Sequence, residues 1–255
     1  MGNFLPWVRA ATPLTLPDKE LHVWRASLDF PPALLERMAK TLSANENERA
    51  DRFLIARARE RFVAARGILR HLLGMYLGLH ADKIDFSYGP QGKPSLAATH
   101  DSGLSFNVSH SQAMGLFAFC GGGGDDVGVD IEEVKADFKG MQIASHFFST
   151  EEIARLAKLP PEVADRAFFE CWTGKEAYVK ARGEGLSLPL RDFSIAFVNG
   201  EQILRDELGR RWSCYALAPS PGFAGAVVAA GESWSLRYYT WSAGAEIENS
   251  FSPPM

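Results

Sequence analysis

Two acidic residues in one short apolar segment are the first candidates for chemistry in this sequence. The segment VGVDIE at 127–132 places Asp130 and Glu132 two residues apart. On a β-strand such residues point to the same side, so both carboxylates share one face while Val129 and Ile131 lie on the other. Oxygen ligands of this kind suit a hard divalent cation such as Mg²⁺. The alternative interpretation is an amphipathic edge strand with a solvated acidic face.

A third acid and an amine lie one helical turn apart in the segment CWTGKEAYVKA at 171–181. At about 3.6 residues per turn, Trp172, Glu176 and Lys180 share one face of a helix. Glu176 could complete a site of three carboxylates, and Lys180 could meet a phosphate. The same spacing also predicts an ordinary surface pair of Glu176 and Lys180, worth about 0.2–0.5 kcal/mol.

The segment FNVSHS at 106–111 offers groups for an anion. Its polar side chains alternate with Val108 and His110, which predicts a cluster of hydrogen-bond donors beside an imidazole at the end of a strand. These polar residues are Asn107, Ser109 and Ser111. A Ser–His nucleophile pair is a poor alternative, because neighbours on a strand face opposite ways and no G-x-S-x-G elbow is present. A polar strand end without further function is the other alternative.

Two more segments have both a structural and a functional interpretation. In GPQGKP at 89–94, glycines allow backbone N–H groups to approach an anion beside Lys93, although a plain surface hairpin has the same composition. In FFSTEE at 147–152, Ser149 and Glu152 form an S-x-x-E capping box. A functional alternative makes Glu152 a proton acceptor near the metal.

The elements that must position these residues follow the same order in both halves of the chain. In the first half the pattern predicts strands at 21–28, 84–88, 104–108 and 114–120, a helix from Pro31 and a long helical region at 43–78. In the second half it predicts strands at 127–134, 193–198, 212–218 and 224–229, a capped helix from Ser149 and a longer helix at 164–182. An S-x-x-E signal precedes the long helix in each half, at Ser43 and at Ser149.

This order predicts an α+β fold of two pseudo-symmetric α/β lobes that arose by internal duplication. The expected lobes span residues 1–122 and 127–241, joined by the glycine-rich segment at 121–126 and followed by a loose tail at 242–255. Ligand sites favour the interfaces between domains, so we expect the active site in the cleft between the lobes.

Composition excludes several classes of protein. The 255 residues carry a formal net charge of −4, which disfavours a dedicated nucleic-acid binder. Three cysteines without a CxxC pair predict neither a disulfide framework nor a zinc site. The longest apolar stretch, at 113–120, is far shorter than the ~20 residues that span a bilayer, and no signal peptide is evident. These features predict a cytoplasmic protein that does not bind membranes.

Taken in order, the segments GKP, FNVSHS, GVDIE, FFSxxE and WTxKEAYVKA resemble the surfactin-type 4′-phosphopantetheinyl transferases over roughly residues 21–230. The resemblance implies a two-lobed monomer that binds coenzyme A between its lobes. Its implied reaction moves the phosphopantetheine arm of coenzyme A onto a serine of an apo acyl or peptidyl carrier protein. Adenosine 3′,5′-bisphosphate leaves, and Mg²⁺ or Mn²⁺ serves as the metal.

The resemblance also implies roles for individual residues. The metal ligands would be Asp130, Glu132 and Glu176, and the catalytic residues would be Asp130, Glu176, Lys180 and Glu152. The contacts to coenzyme A would come from Arg49, Arg61, Gly92, Lys93, Pro94, Asn107, Ser109, His110, Lys175 and Lys180. The general base stays open at this point between Glu176, Glu152 and a metal-held water.

Three other functions are compatible with parts of the sequence. They are a non-catalytic module that binds coenzyme A or a nucleotide, a Mg²⁺-dependent hydrolase of the coenzyme A pyrophosphate, and a nucleic-acid binder that uses the arginine-rich helix at 49–70. The acidic composition disfavours the nucleic-acid binder, and a complete metal site is more than binding requires. The same arginines could instead meet an acidic carrier protein. The sequence leaves open which carrier is served and whether acyl-coenzyme A is accepted.

Overall fold

The computed structural model describes residues 6–10, 14–122, 127–136, 138–197 and 200–243, which form a mixed α+β fold. The helices are α1 Pro32–Ala39, α2 Ala44–Asp51, α3 Ala56–Leu77, α4 Gly140–Phe147, α5 Thr150–Leu156 and α6 Pro161–Arg182. The strands are β1 Glu20–Ser27, β2 Phe86–Tyr88, β3 Pro94–Leu96, β4 Ser105–Ser111, β5 Met114–Cys120, β6 Val127–Glu133, β7 Glu201–Arg205, β8 Arg211–Leu217, β9 Phe223–Ala230 and β10 Ser235–Thr240. The α+β part of the predicted fold class is confirmed.

The two largest sheets of the described residues have four strands each, in the orders β10-β1-β5-β4 and β6-β9-β8-β7. Strands β2 and β3 form a separate antiparallel hairpin. The paired strands of the two large sheets are antiparallel except for β1 and β10, which run parallel. The last strand among the described residues, β10, therefore belongs to the sheet that is otherwise built from the first half.

Alternation along the strands explains why the core has three parts. On β5, Phe117 and Phe119 pack with α3 in the core of the first half. The residues that alternate with them face the second sheet: Leu116, Ala118 and Cys120. There they meet Val127, Val129 and Ile131 of β6. Because successive side chains of a strand point to opposite faces, both faces of each sheet are covered. The predicted apolar face of β6 is therefore buried between the sheets.

Both predicted capping boxes are confirmed. Ser43 and Ser149 each accept a hydrogen bond from the backbone N–H three residues later, and the carboxylates of Glu46 and Glu152 each accept one from the backbone N–H of the capping serine. These reciprocal bonds satisfy N–H groups that a helix start leaves without partners. The boxes begin α2 and α5, which precede the long helices α3 and α6.

Strand β6 and helix α6 approach each other closely at Gly128. A Cβ atom there would lie 2.1 Å from the backbone oxygen of Ala177 and 2.4 Å from the backbone nitrogen of Ala181. Any larger residue would push the helix away from the strand. This contact sets the carboxylates of β6 beside the face of α6 that carries Glu176 and Lys180.

Three sequence predictions about the elements were wrong or incomplete. The helical region predicted at 43–78 is broken between Asp51 and Ala56 into α2 and α3. The strand predicted at 193–198 is not formed in its described part, because side chains take its backbone groups: Glu152 accepts from Ile195, and Gln202 bonds Ser194 and Ala196. Helix α4 and strands β3, β7 and β10 were not predicted. Residues 123–126 of the glycine-rich connection and 244–255 of the predicted tail lie outside the described residues.

Candidate active site

Strand β4 lies beside β6, and polar side chains connect the two strands. The Oδ1 atom of Asn107 accepts a hydrogen bond from the backbone N–H of Val129 at 2.9 Å. Two residues along, the Ser109 hydroxyl donates to Asp130 Oδ1 at 2.8 Å. Since residues two apart share a face of a strand, the polar side of FNVSHS faces the carboxylate side of β6.

Lys180 of α6 completes this cluster. Its Nζ lies 2.7 Å from Asp130 Oδ1, 2.9 Å from Ser109 Oγ and 3.4 Å from the backbone oxygen of Val129. Asp130 is only 4% exposed, so its pairing with Lys180 is strengthened by weak solvent screening. Three sequence segments that are far apart in the chain therefore meet at one amine.

The three predicted metal ligands lie close enough together for their charges to affect one another, and one of their oxygens is buried without a partner among the described residues. Burial and the charge of Asp130 raise the pKa values of both Glu132 and Glu176 above their usual range. The Oδ2 atom of Asp130 is buried without a hydrogen-bond partner among the described residues. A hard divalent cation would satisfy that oxygen and offset the repulsion, so the donor set fits Mg²⁺.

The carboxylates do not converge as a metal site would require. Within the described ranges, no group of three or more His, Cys, Asp or Glu side chains is arranged to hold a metal ion. Lys180 supplies the positive charge beside Asp130 instead. Binding of a cation would therefore need Lys180 to leave Asp130 and Glu176 to turn toward the two acids of β6.

A cleft beside this cluster has two adjoining parts. The cationic part, about 290 Å³ in volume, is lined by Arg49, Arg66, Ser109, His110 and Lys180 together with apolar residues. Desolvation of the His110 imidazole by the surrounding protein lowers its pKa, and the positive charge of Lys180 lowers that pKa further. An anion would find a concentration of positive charge and hydrogen-bond donors here.

The apolar part of the cleft is about 480 Å³ in volume and is walled by Phe147, Val179, Leu188 and Leu190. It shares Gly92, Pro94, Val108 and Lys180 with the cationic part, so the two parts are continuous. Lys93, Asn107 and Glu176 also line it. The Nζ atom of Lys93 bonds the backbone oxygens of Val127 and Ala181 at 3.2 and 3.4 Å, which ties the 89–94 loop to β6 and α6.

Glu152 and Lys175 lie in the interior of the second half rather than in the cleft. Their side chains are 1% and 0% exposed and form an ion pair of 2.8 Å. Glu152 also accepts hydrogen bonds from the backbone N–H groups of Ser149 and Ile195 and from the Cys171 thiol. Both oxygens of Glu152 are thus engaged, so neither the predicted proton acceptor nor the predicted phosphate contact of Lys175 reaches the cluster around Asp130.

The guanidinium of Arg61 bonds other side chains and does not line either part of the cleft. Its Nε lies 2.9 Å from Asp29 Oδ1, and its Nη1 lies 3.2 Å from Gln112 Oε1. The predicted contact of Arg61 with a ligand would have to compete with this ion pair. Its charge still contributes to the lowered pKa of His110.

Arg66 is a candidate that the sequence prediction missed. Its side chain is 9% exposed, its Nε lies 3.3 Å from Glu46 Oε1, and its Nη1 is buried without a hydrogen-bond partner among the described residues. Arg70, one turn later, is by contrast saturated by Glu46 and by the backbone oxygens of Ala81 and Ile84. Only the structure distinguishes Arg66 from the other arginines of this region.

Comparison with known proteins decides the family. Residues 126–229 match the 4′-phosphopantetheinyl transferase superfamily, and residues 27–119 match the 4′-phosphopantetheinyl transferase N-terminal family. The chain is 38% identical over 234 residues to 4′-phosphopantetheinyl transferase HetI of Nostoc sp. strain PCC 7120, covering 91% of this chain and 97% of that relative. The chain belongs to the 4′-phosphopantetheinyl transferase superfamily.

A second relative supports the same assignment. The transferase is 32% identical over 207 residues to 4′-phosphopantetheinyl transferase Sfp of Bacillus subtilis strain 168, covering 76% of this chain and 89% of the relative. The resemblance drawn from the sequence is confirmed, and the protein is an enzyme of this class. In the described part of the transferase, no helix is long and apolar enough to cross a membrane.

Proposed function

We propose that this transferase moves the 4′-phosphopantetheine arm of coenzyme A onto a serine hydroxyl of an apo acyl or peptidyl carrier protein. The main observation behind this proposal is the position of Lys180. Its Nζ contacts both Asp130 and Ser109 where the two parts of the cleft join. A pyrophosphate at that amine would have a cationic pocket on one side and an apolar pocket on the other.

The cationic part of the cleft suits the nucleotide end of coenzyme A. Arg49 and Arg66 are the cations on its α2 and α3 side, and His110 lies on β4. Charge-assisted hydrogen bonds to phosphate are stronger than neutral ones, so these groups would hold the phosphates of the adenosine moiety. The apolar part would then receive the pantetheine arm.

The acidic cluster suits Mg²⁺ as the metal of the reaction. Asp130, Glu132 and Glu176 would hold it, since hard cations prefer carboxylate oxygens and Asp130 Oδ2 has no hydrogen-bond partner among the described residues. A bound divalent cation offsets the negative charge of a pyrophosphate and so favours attack by an oxygen nucleophile. Lys180 would then be available to contact the pyrophosphate instead of Asp130.

Glu176 is the better candidate for the general base. A serine hydroxyl needs a proton acceptor at neutral pH, and Glu176 lines the cleft whereas Glu152 is buried in its ion pair with Lys175. As the serine oxygen bonds to the phosphorus attached to pantetheine, the hydroxyl proton passes to Glu176. The pyrophosphate P–O bond breaks, and adenosine 3′,5′-bisphosphate leaves.

The Glu176→Gln variant should lose turnover while it still binds coenzyme A. Glutamine keeps the size of the side chain but accepts no proton, so we expect kcat to fall about 100-fold with little change in the KM for coenzyme A. Steady-state kinetics on a carrier protein measure both constants. Glu170→Gln, on the same helix but in an exposed pair with Arg166, is the matched control. Equal losses in kcat and in coenzyme A affinity would leave Glu176 a purely binding role.

The Arg66→Met variant tests the position of the nucleotide. Methionine retains an apolar chain of similar length but removes the unpaired Nη1 donor, so adenosine 3′,5′-bisphosphate should bind about 10-fold more weakly. Isothermal titration calorimetry measures this affinity. Arg59 lies on α3 like Arg66 but forms an exposed pair with Asp51 of α2, so Arg59→Met should bind as tightly as the wild type. Unchanged affinity in Arg66→Met would move the nucleotide out of the cationic part.

The reaction itself is tested by intact-mass spectrometry of an apo acyl carrier protein after incubation with this transferase, coenzyme A and Mg²⁺. A metal-dependent gain of one phosphopantetheine arm, absent when EDTA is added, is the expected result. Cleavage of coenzyme A without labelling of the carrier would support a hydrolase instead. Bound but intact coenzyme A, with no labelling of fatty-acid, polyketide or peptide-type carriers, would contradict the transfer.

We also infer that the chain consists of two related α/β lobes with the cleft between them. In each half, a helix with a capping box precedes a 22-residue helix beside a four-stranded sheet. The proposed boundaries at 1–122 and 127–241 need one addition, because β10 pairs with β1 and so joins the sheet of the first lobe. Conserved geometry between superposed halves would support the duplication.

A further inference from the structure

Ser111, the last residue of β4, connects that strand to the acidic side of β6. Its hydroxyl donates to Glu132 Oε2 at 3.0 Å and accepts a hydrogen bond from the backbone N–H of Glu133 at 3.1 Å. We infer that Ser111 is a positioning residue, which holds the Glu132 carboxylate in place for the divalent cation. This inference rests on the cation site of the proposed function.

The hydroxyl is well suited to this role because both of its bonding directions are used. The N–H of Glu133 occupies a lone pair of the oxygen, which turns the hydroxyl hydrogen toward Glu132. Outer groups that orient metal ligands in this way affect the affinity for the ion without touching it. Ser111 therefore acts through Glu132.

Glu132 needs such a partner because of its neighbours. It is half-buried on β6, two residues from Asp130 and on the same face of the strand, so the two negative charges repel each other. Without the hydrogen bond from Ser111, repulsion from Asp130 and the gain in hydration would both favour rotation of Glu132 toward solvent. The site would then lose an oxygen ligand before any cation arrives.

The spacing on β4 gives each acid of β6 its own hydroxyl. Ser109 donates to Asp130, and Ser111, two residues later on the same face, donates to Glu132. The two serines have different additional partners, since Ser109 accepts from Lys180 while Ser111 accepts from the β6 backbone. The second serine of FNVSHS is thus directed to a carboxylate rather than to a phosphate.

The test is direct binding of Mn²⁺, observed by electron paramagnetic resonance, to the whole protein with saturating coenzyme A. We expect Ser111→Ala to bind the ion about 10-fold more weakly than the wild type, whereas Ser111→Thr, which keeps the hydroxyl, stays close to it. Ser213→Ala is the matched control, because Ser213 is a buried strand hydroxyl of the second sheet whose Oγ donates to the backbone oxygen of Gly231.

Each outcome bears on a different step. Equal Mn²⁺ affinity in Ser111→Ala and the wild type would overturn the role of Ser111 while leaving the cation site intact. An equal loss in Ser213→Ala would also overturn it, because the effect would then be general loosening of the fold. If the wild type binds no more Mn²⁺ than Asp130→Ala, the cation site itself fails. In kinetics, Ser111→Ala should need about 10-fold more Mg²⁺ for half-maximal rate, with an unchanged KM for coenzyme A at saturating Mg²⁺.

Discussion

Asp130→Ala should modify a carrier protein about 10³-fold more slowly than the wild type. Asp130 is the buried acid at the centre of the proposed site, and its loss removes a proposed ligand of the cation together with the partner of Lys180. A metal ion stabilises charge in a transition state by several kcal/mol. Each 1.36 kcal/mol added to the activation free energy slows the reaction tenfold, so a 10³-fold loss corresponds to about 4 kcal/mol. The rate of mass gain on the carrier, measured under single-turnover conditions, gives the value.

Two companion variants separate charge from shape. Asp130→Asn keeps an oxygen that can accept from Ser109 but carries no charge, so it should be nearly as slow as the alanine variant. Asp51→Ala removes an exposed acid paired with Arg59 and should react at the wild-type rate. Circular dichroism would verify that all three remain folded. A rate for Asp130→Ala within tenfold of the wild type would remove this residue from the catalytic centre.

Local periodicity was enough to predict the faces on which the candidate residues lie. The two-residue repeat of a strand predicted Asp130 and Glu132 on one side of β6, and the helical repeat predicted Glu176 and Lys180 on one side of α6. The structure brings these faces together, with Lys180 paired to Asp130. The interpretation of β6 as a solvated acidic edge is wrong for Asp130, which is buried.

Pairings between distant segments could not be predicted in this way. The parallel pairing of β10 with β1 joins the two ends of the described chain, and no local pattern encodes it. Arg66 is one arginine among seven in its region, and only its position between Glu46 and the cleft marks it out. The role of Glu152 could not be predicted from its local sequence either, because a glutamate that caps a helix and a glutamate that takes a proton can have the same sequence neighbours. Its ion pair with Lys175 depends on how α5 packs against α6.

Glu152→Gln should therefore damage stability rather than chemistry. Lys175 is fully buried, and removal of the charge on its partner leaves an uncompensated cation in the interior. Breaking one side of a buried ion pair costs about 3–5 kcal/mol, whereas loss of the exposed pair in Glu170→Gln should cost less than about 1 kcal/mol. Urea-induced unfolding, followed by tryptophan fluorescence, measures both. The remaining folded enzyme should keep a wild-type KM and a kcat within a few-fold of the wild type.

The pH dependence of unfolding identifies the buried cation as the cause. Burial lowers the pKa of Lys175 from its usual 10.5, and the hydrogen bond and charge of Glu152 partly restore it. Without Glu152, the folded-state pKa falls further, so between that value and about 10.5 the unfolded chain binds more protons than the folded chain. The free energy of unfolding of Glu152→Gln should consequently rise with pH through this window, more steeply than that of the wild type. A variant that is stable at neutral pH but cannot turn over would instead make Glu152 the proton acceptor.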